Sequence, residues 1–294
     1  MRILITGAKG QLGNELRSIL SDMRAEIGAI PSAYENATVI PADIDEFDIT
    51  DISATREFIG NAKPDVIINC AAMTNVDGCE TATDIAFKVN AVGVRNLSMC
   101  AKEINAKFIH VSTDYVFAGD GKRPYLEWDM ISPKSAYGAS KALGEKYALA
   151  FCDKTFIVRT SWLYGYIGKN FVKTVRRVLK EKGKITVVND QRGNPTNAND
   201  LAYHLLKLAV TEEYGIYHCT GEGECSWYEF AKKIAEYSGY GENTVSPCTS
   251  DEYPSPTKRP EYSSLENLAL KCSVGNEMRD WQIALKEYIM KVKD

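Results

Sequence analysis

Arg2-Ile3-Leu4-Ile5-Thr6-Gly7-Ala8-Lys9-Gly10-Gln11-Leu12-Gly13 is the stretch that decides the fold. A short apolar strand runs directly into three glycines spaced by three, and a helix-forming segment opens at Gln11. A strand that turns through glycines into a helix collects the free N–H groups and partial positive charge of the helix N-terminus, which together make a seat for a pyrophosphate. Glycines serve there because the turn is tight and the phosphates come close to the backbone. Gly7, Gly10 and Gly13, with the backbone of Gln11 and Leu12, are therefore the expected dinucleotide contacts; a bare strand-to-helix turn is the alternative. No Gly-Lys-Ser/Thr follows, which disfavours a loop for a nucleoside triphosphate.

Working outward, apolar runs at 2–6, 38–42, 65–70, 107–112 and 155–160 alternate with helix-period segments at 11–23, 52–61, 85–104 and 136–151. That alternation predicts an α/β fold, a Rossmann-type doubly wound parallel sheet covered by helices. Past residue 160 the pattern loosens, with helices expected at 170–182, 199–210 and 226–237 and strands at 184–188 and 216–219. A Pro-bearing stretch over 245–260 precedes short helices at 264–270 and 276–292. The expected division is a nucleotide-binding domain over 1–160, joined again by part of 189–213, and a smaller α/β substrate lobe over 161–294, with the substrate in the crevice between them. The second strand should end on an acid that binds the adenosine ribose, and Asp43 holds that place. It lies far beyond Gly13, an excess that an insertion around 26–36 accounts for. Asp48 and Ile49 are placed to reach the adenine, while Ala71, Ala72 and Met73 follow the third strand and are small enough at their start to admit the cofactor ribose. No Arg follows Asp43 to meet a 2′-phosphate, so NADH is expected to serve at least as well as NADPH.

The chemistry is carried by Tyr137-Gly138-Ala139-Ser140-Lys141. Residues four apart share a helix face, so the phenol and the ammonium are neighbours. A nearby cation favours the phenolate and lowers the phenol's pKa, which proposes proton exchange with a carbonyl or alcohol oxygen. Ser135 is a plausible N-cap for that helix. Upstream, Phe108-Ile109-His110-Val111-Ser112-Thr113-Asp114 reads as a buried strand ending in hydroxyl and carboxylate groups, and a strand end is where open α/β sheets place their chemistry.

The 294 residues are 45% hydrophobic and 25% charged, which is ordinary globular composition. A net charge of −4 argues against a nucleic-acid partner. No apolar run is long enough for a membrane span and no signal-peptide core precedes the glycine loop, so a cytoplasmic location is expected. Eight cysteines without a Cys-x-x-Cys pair, beside only three histidines, read as reduced thiols and not as a metal site.

The glycine loop, Asn69-Cys70-Ala71-Ala72-Met73-Thr74-Asn75-Val76-Asp77, Val111-Ser112-Thr113-Asp114-Tyr115-Val116-Phe117, Tyr137 through Lys141, Arg159-Thr160-Ser161-Trp162-Leu163-Tyr164-Gly165, Asp190-Gln191-Arg192-Gly193-Asn194-Pro195-Thr196 and Arg259-Pro260-Glu261-Tyr262-Ser263 resemble, in order, the dTDP-4-dehydrorhamnose reductases, an extended branch of the short-chain dehydrogenases. The resemblance implies reduction of the C4 ketone of a dTDP-6-deoxy-4-keto-hexose with NADPH or NADH. It assigns proton donation to Tyr137, tuning and ribose binding to Lys141, a hydrogen bond to the same oxygen to Thr113, and sugar contacts to Asp114 and Trp162. Apart from the resemblance, Trp162 reads as an aromatic at the lobe interface and Asp114 as a strand-end cap. Relatives include metal-bridged dimers; no residue spacing here calls for a metal, and a homodimer is left open. The chain departs from the pattern in its longer segment before Asp43 and in the acidic run Asp43-Ile44-Asp45-Glu46. A 4,6-dehydratase or 4-epimerase is one rival, although dehydration needs an Asp-Glu pair directly after the threonine and here Tyr115 follows Asp114. A non-catalytic regulatory subunit like that of S-adenosylmethionine synthetase is the other, and the retained Thr113, Tyr137 and Lys141 speak against it.

Overall fold

Ile3, Leu4 and Ile5 show how one strand builds two cores. Alternate side chains of a strand point to opposite faces. Ile3 and Ile5 pack into an apolar core on one side of the sheet, and Leu4 into a second on the other. The computed structural model describes residues 1–253 and 255–292, so Pro254 of the Pro-bearing stretch and the last two residues lie outside it. Its central sheet contains β1 (Arg2–Thr6), β2 (Thr38–Ala42), β3 (Val66–Asn69), β4 (Lys107–Thr113), β5 (Thr155–Thr160) and β6 (Gly215–His218). The spatial order is β6-β5-β4-β3-β1-β2, with every pairing parallel. The inner strands β3 and β5 are buried at every residue, as a sheet covered on both faces requires.

The long helices are α1 (Gln11–Asp22), α2 (Ile52–Ala62), α3 (Val94–Glu103), α4 (Ala136–Phe151), α5 (Phe171–Lys182), α6 (Ala198–Ala209), α7 (Trp227–Tyr237) and α8 (Trp281–Lys291). Leu12, Leu16 and Ile19 of α1 join Leu201, Leu205 and Leu208 of α6 over one face of the sheet. Ile59 of α2, Leu97 of α3 and Ala148 of α4 cover the other. The chain thus returns to the sheet with α6 and again with β6, which extends past the 189–213 span expected from the sequence. A separate core gathers Val172, Val175 and Leu179 of α5, Phe230 and Ile234 of α7, and Leu285 and Tyr288 of α8. None of the helices is long and apolar enough, among the described residues, to cross a membrane.

Several elements differ from the sequence reading. The helix expected over 85–104 is a wound-out one: Thr83–Phe87 leads into a π-helical segment, Lys88–Gly93, before α3. Val76–Thr81 is a further short helix, capped by the Asn75 side chain. The Pro-bearing stretch begins as a strand, Val245–Cys248, paired parallel with Ile185–Val188. The last helices are shorter than expected, at Leu268–Cys272 and α8, the latter starting where the Asp280 carboxylate caps it. The insertion before Asp43 forms a small hairpin, Arg24–Ala25 with Gly28–Ala29, and a turn at Ser32–Tyr34. Its role is structural: the Tyr34 hydroxyl donates to Leu206 O at 2.7 Å, and the Glu26 carboxylate takes Arg279 at 2.8 Å and Lys291 at 3.0 Å.

Candidate active site

The order of strands reverses at β1, which has β2 on one side and β3 on the other, so the loops after β1 and β3 diverge at their carboxyl ends. Two clefts of about 520 and 490 Å³ meet at that crevice and share Gly7, Gly10, Cys70 and Ala72. The first takes in Asp43, Asp48, Ile49, Ala71 and Met73. The second takes in Gln11, Leu12, Gly13, Thr113, Asp114, Tyr137, Lys141 and Trp162. Every catalytic, cofactor and sugar residue expected from the sequence therefore lines one cleft or the other.

The N-terminus of α1 suits a bound anion. Asp51, Ser135, Asn170, Asn197, Ser226 and Asp280 each cap their own helix by accepting a first-turn N–H, whereas α1 begins at Gly10 with no capping side chain and no acid in its first turn. Its leading N–H groups are left for a ligand. Gly7 has φ +66°, and a Cβ there would lie 2.7 Å from the Ala71 nitrogen, so only glycine lets the two loops approach. The Gln11 side-chain oxygen is engaged within the protein, accepting from Gly165 N–H at 2.9 Å and Asn170 at 3.0 Å.

At the far end of the first cleft the Asp43 carboxylate accepts the Lys9 N–H at 3.1 Å and the Ile44 N–H at 3.0 Å, tying the glycine loop to β2. The Lys9 ammonium pairs with Asp45 beside it. No cation follows Asp43 along the chain; the fold brings one from the glycine loop instead, and Lys9 lines the same cleft. Asp48 Oδ1 accepts from the Thr50 N–H at 2.8 Å. Met73 is held by Asn90, which accepts the Met73 N–H at 2.8 Å and donates to Met73 O at 3.0 Å and to Ser140 Oγ at 3.1 Å. Asn90 lies in the π-helical segment, and its role had no signal in the sequence beyond an interior asparagine on an otherwise helical stretch.

In the second cleft Ser135 caps α4 as expected, accepting the Gly138 N–H at 3.1 Å, and so sets Tyr137 in the first turn. Thr113, the last residue of β4, donates to Asp114 Oδ1 at 2.9 Å and lies within hydrogen-bonding reach of Tyr137. Tyr115 meets the Tyr137 ring edge-on at 5.4 Å. Burial pushes the Tyr137 phenol up, and hydrogen bonding from Thr113 offsets part of that rise. The expectation that Lys141 pulls the phenol down is corrected here: the amine donates to Val111 O at 2.6 Å and lies 3.3 Å from His110 Nε2. Burial also pushes Lys141 down to about 8, against the opposing pull of Glu145 and Cys70. A phenol that keeps its proton is suited to donate it.

Asp114 is buried, which pushes its carboxyl up to about 6 against hydrogen bonds from Ser263 and Thr113. Its Oδ2 has no partner, and neither has Thr160 Oγ1 in the same cleft. Buried oxygens without partners are uncommon, and these two suit a ligand rich in hydroxyls. Trp162 adopts φ +46°, unusual for a side chain of that size. Its ring stacks on Trp227 at 3.6 Å and 9°, with Gly193 packed close by, where a Cβ would lie 2.8 Å from the indole. Trp227 also lines the cleft and escaped the sequence reading, since nothing local marks the first residue of a helix as a wall of a distant site.

A family model, the RmlD substrate binding domain, matches residues 1–293. The chain belongs to this family. Among its relatives, the spore coat polysaccharide biosynthesis protein SpsK of Bacillus subtilis is 40% identical over 99% of this chain and 97% of that protein. A dTDP-4-dehydrorhamnose reductase from Clostridium acetobutylicum, known from its crystal structure, superposes with a TM-score of 0.91 at 45% identity over 99% of each chain. The Bacillus anthracis dTDP-4-dehydrorhamnose reductase, crystallised in complex with NADP, gives 0.92 at 40% identity, again over 99% of each chain.

Proposed function

We propose that the chain is a cytoplasmic NADPH- or NADH-dependent reductase that converts the C4 ketone of dTDP-4-dehydro-6-deoxy-L-mannose into dTDP-L-rhamnose, a precursor of cell-surface polysaccharide. The observation that carries the reading is the second cleft. There Thr113 and Tyr137 face one another beside the unpartnered Asp114 Oδ2, in a space continuous with the uncapped N-terminus of α1. Bound reduced nicotinamide supplies the hydride. Tyr137 gives its proton to the ketone oxygen as that oxygen takes on charge, and the Thr113 hydroxyl, turning from Asp114 Oδ1, donates a hydrogen bond to the same atom. Such positioned proton donation is worth about 10²- to 10⁴-fold in rate. Asp114 accepts sugar hydroxyls, and Trp162, braced by Trp227, forms the wall beside the sugar. Gly7, Gly10, Gly13 and the backbone of Gln11 and Leu12 hold the pyrophosphate, with Asp43, Asp48, Ile49 and Ala71 through Met73 around the adenosine half. A single chain supplies every residue named.

The test is oxidation of NADPH and NADH in the presence of dTDP-4-keto-L-rhamnose, with UDP- and GDP-linked 4-keto sugars alongside. Oxidation confined to the dTDP sugar, with dTDP-L-rhamnose as product, is expected. Failure of all the sugars, or formation of a 4-keto product from dTDP-glucose, refutes the reading. Tightly held, non-exchanging NAD in the purified protein favours an epimerase in its place.

A further inference from the structure

Directly beneath Lys141 lies a chain of hydrogen bonds that the catalytic roles above leave unexplained. At its far end the Ala71 backbone N–H and the Thr6 hydroxyl both donate to Asn69 Oδ1, at 3.2 and 2.6 Å. A backbone N–H can only donate, so the atom facing it is the amide oxygen, and the orientation of the Asn69 amide is settled. The amide nitrogen then faces His110 Nδ1 at 3.0 Å and donates to it. His110 is wholly buried, which pushes its pKa well down and keeps the ring neutral. With Nδ1 accepting, the one ring proton must reside on Nε2. That nitrogen lies 3.3 Å from Lys141 Nζ.

An N–H, and not a lone pair, is therefore turned toward the lysine. The arrangement is opposite to that of the other two histidines, whose Nδ1 atoms face backbone carbonyls, Asp200 O at 2.8 Å for His204 and Glu266 O at 3.1 Å for His218, and so carry the proton there. We infer that His110 is a positioning residue for Lys141: its Nε2–H, fixed by Asn69, turns the hydrogens of the ammonium away from the sheet and toward the cleft, and favours the amine form over the ammonium. One Lys141 hydrogen is taken by Val111 O at 2.6 Å. The N–H of His110 repels the other two from its side, which leaves them for Tyr137 and for ligand hydroxyls. Because the same N–H can donate to the lone pair of a neutral amine, it shifts the lysine's balance in the direction that burial also shifts it.

The other groups around this amine are few. Cys70 directly follows β3, and burial pushes its thiol up to about 12. Helix α4 itself contributes Tyr137 and Glu145, the latter bound to Arg159 of β5 at 2.7 Å and to Ser112 of β4 at 2.5 Å. The segment at 88–93 contributes the Asn90 amide, which is engaged by Ser140. Glu145 and Cys70 favour the ammonium and burial opposes them; the Nε2–H of His110 acts in the same direction as burial.

This inference rests on the reductase reading for its consequence but not for its first test. In the ¹⁵N spectrum of the imidazoles of the unaltered protein, two histidines are expected as Nδ1–H and one as Nε2–H; three Nδ1–H rings overturn the inference. Asn69→Asp keeps the bonds from Thr6 and Ala71 but accepts a proton from Nδ1, so it turns the Nε2 lone pair to the ammonium. The Lys141 titration, followed by NMR of labelled lysine and assigned with Lys141→Met, should then move up by about one unit, a tenfold change in proton affinity. In a His110→Phe background the same Asn69→Asp change should move it by less than half as much. An equal shift in both backgrounds shows that the new carboxylate acts through space and removes His110 from the role. Where turnover with the dTDP sugar is present, the alkaline limb of kcat/KM should follow the same shifts. Where it is absent, the NMR result stands and only the reductase reading falls.

Discussion

Replacing Gly138 by alanine tests how closely the proton donor must be held. Gly138 follows Tyr137 in the first turn of α4, and a Cβ built there would lie 2.2 Å from Tyr115 O and 3.1 Å from Pro133 Cβ. Non-bonded contacts of this kind do not fall below about 3 Å, so the start of α4 and the Tyr115 turn must separate by roughly 1 Å. Tyr115 directly follows the Thr113-Asp114 pair, so the separation falls between the phenol and the groups it works with. Overpacking of this size costs about 1–3 kcal/mol, or roughly 2–6 °C in Tm for a chain of this length. A displacement of about 1 Å at the reacting groups costs about 10²-fold in turnover. The assay is kcat with the 4-keto sugar, with NADPH binding and Tm measured on the same samples. Cofactor binding should stay within about threefold, because the pyrophosphate seat on α1 is untouched. Gly60→Ala is the control: nothing lies within 4 Å of a Cβ there, and alanine should stabilise α2 by a few tenths of a kcal/mol up to about 1. Gly138→Ala with unchanged kcat and Tm would refute the claim that Tyr115 fixes the start of α4.

Tyr137→Phe should lose about 10²- to 10⁴-fold in kcat while binding NADPH as before, and near-normal turnover would remove Tyr137 as proton donor. Lys9→Ala should raise KM for NADPH by about five- to tenfold and leave NADH within about twofold, since only the former carries a 2′-phosphate for the ammonium to meet; equal effects on both cofactors would show that Lys9 serves only the loop. Asp114→Asn should raise KM for the sugar by about tenfold with a smaller change in kcat. In the unaltered enzyme that KM should climb as pH falls through about 6, where Asp114 takes up its proton, and the variant's KM should be flat across the same range. The stability sign is the reverse of a salt-bridged carboxylate: the folded group holds its proton up to about 6 whereas an aspartate in the unfolded chain releases it near 3.8, so Asp114 favours the folded state at low pH and that contribution is lost as pH rises through 6. A melting temperature that rises over this window in the native protein but not in Asp114→Asn would contradict the burial argument.

The sheet was legible because its signals are local. β1 and the glycine loop, β4 ending in Thr113, and Ser135 capping α4 each announce themselves within a few residues, where backbone sterics, alternation and capping operate. Many of the residues lining the two clefts were legible for a related reason: open parallel sheets place ligands at strand ends, and strand ends can be found from the strands. What escaped depended on contacts between distant segments. Asn90 reaches Met73 and Ser140 only because the helix winds out at 88–93, and that winding has no local cause in the sequence. Lys9 enters the Asp43 cleft from another loop, and Trp227 comes from α7 to back Trp162.

The amino-acid order by itself determined the six strands of the central sheet and most of the long helices, how the glycine loop turns, and that a phenol and an amine share a helix face, because each is settled by neighbours along the chain. Only the tertiary structure decided what the amine points at. Lys141 faces His110 and Val111, and the His110 tautomer follows from an amide whose orientation is set by Ala71 and Thr6. Those partners come from three strands and a loop, and burial, which governs the protonation of Tyr137, Lys141 and Asp114 alike, exists only once they have packed together.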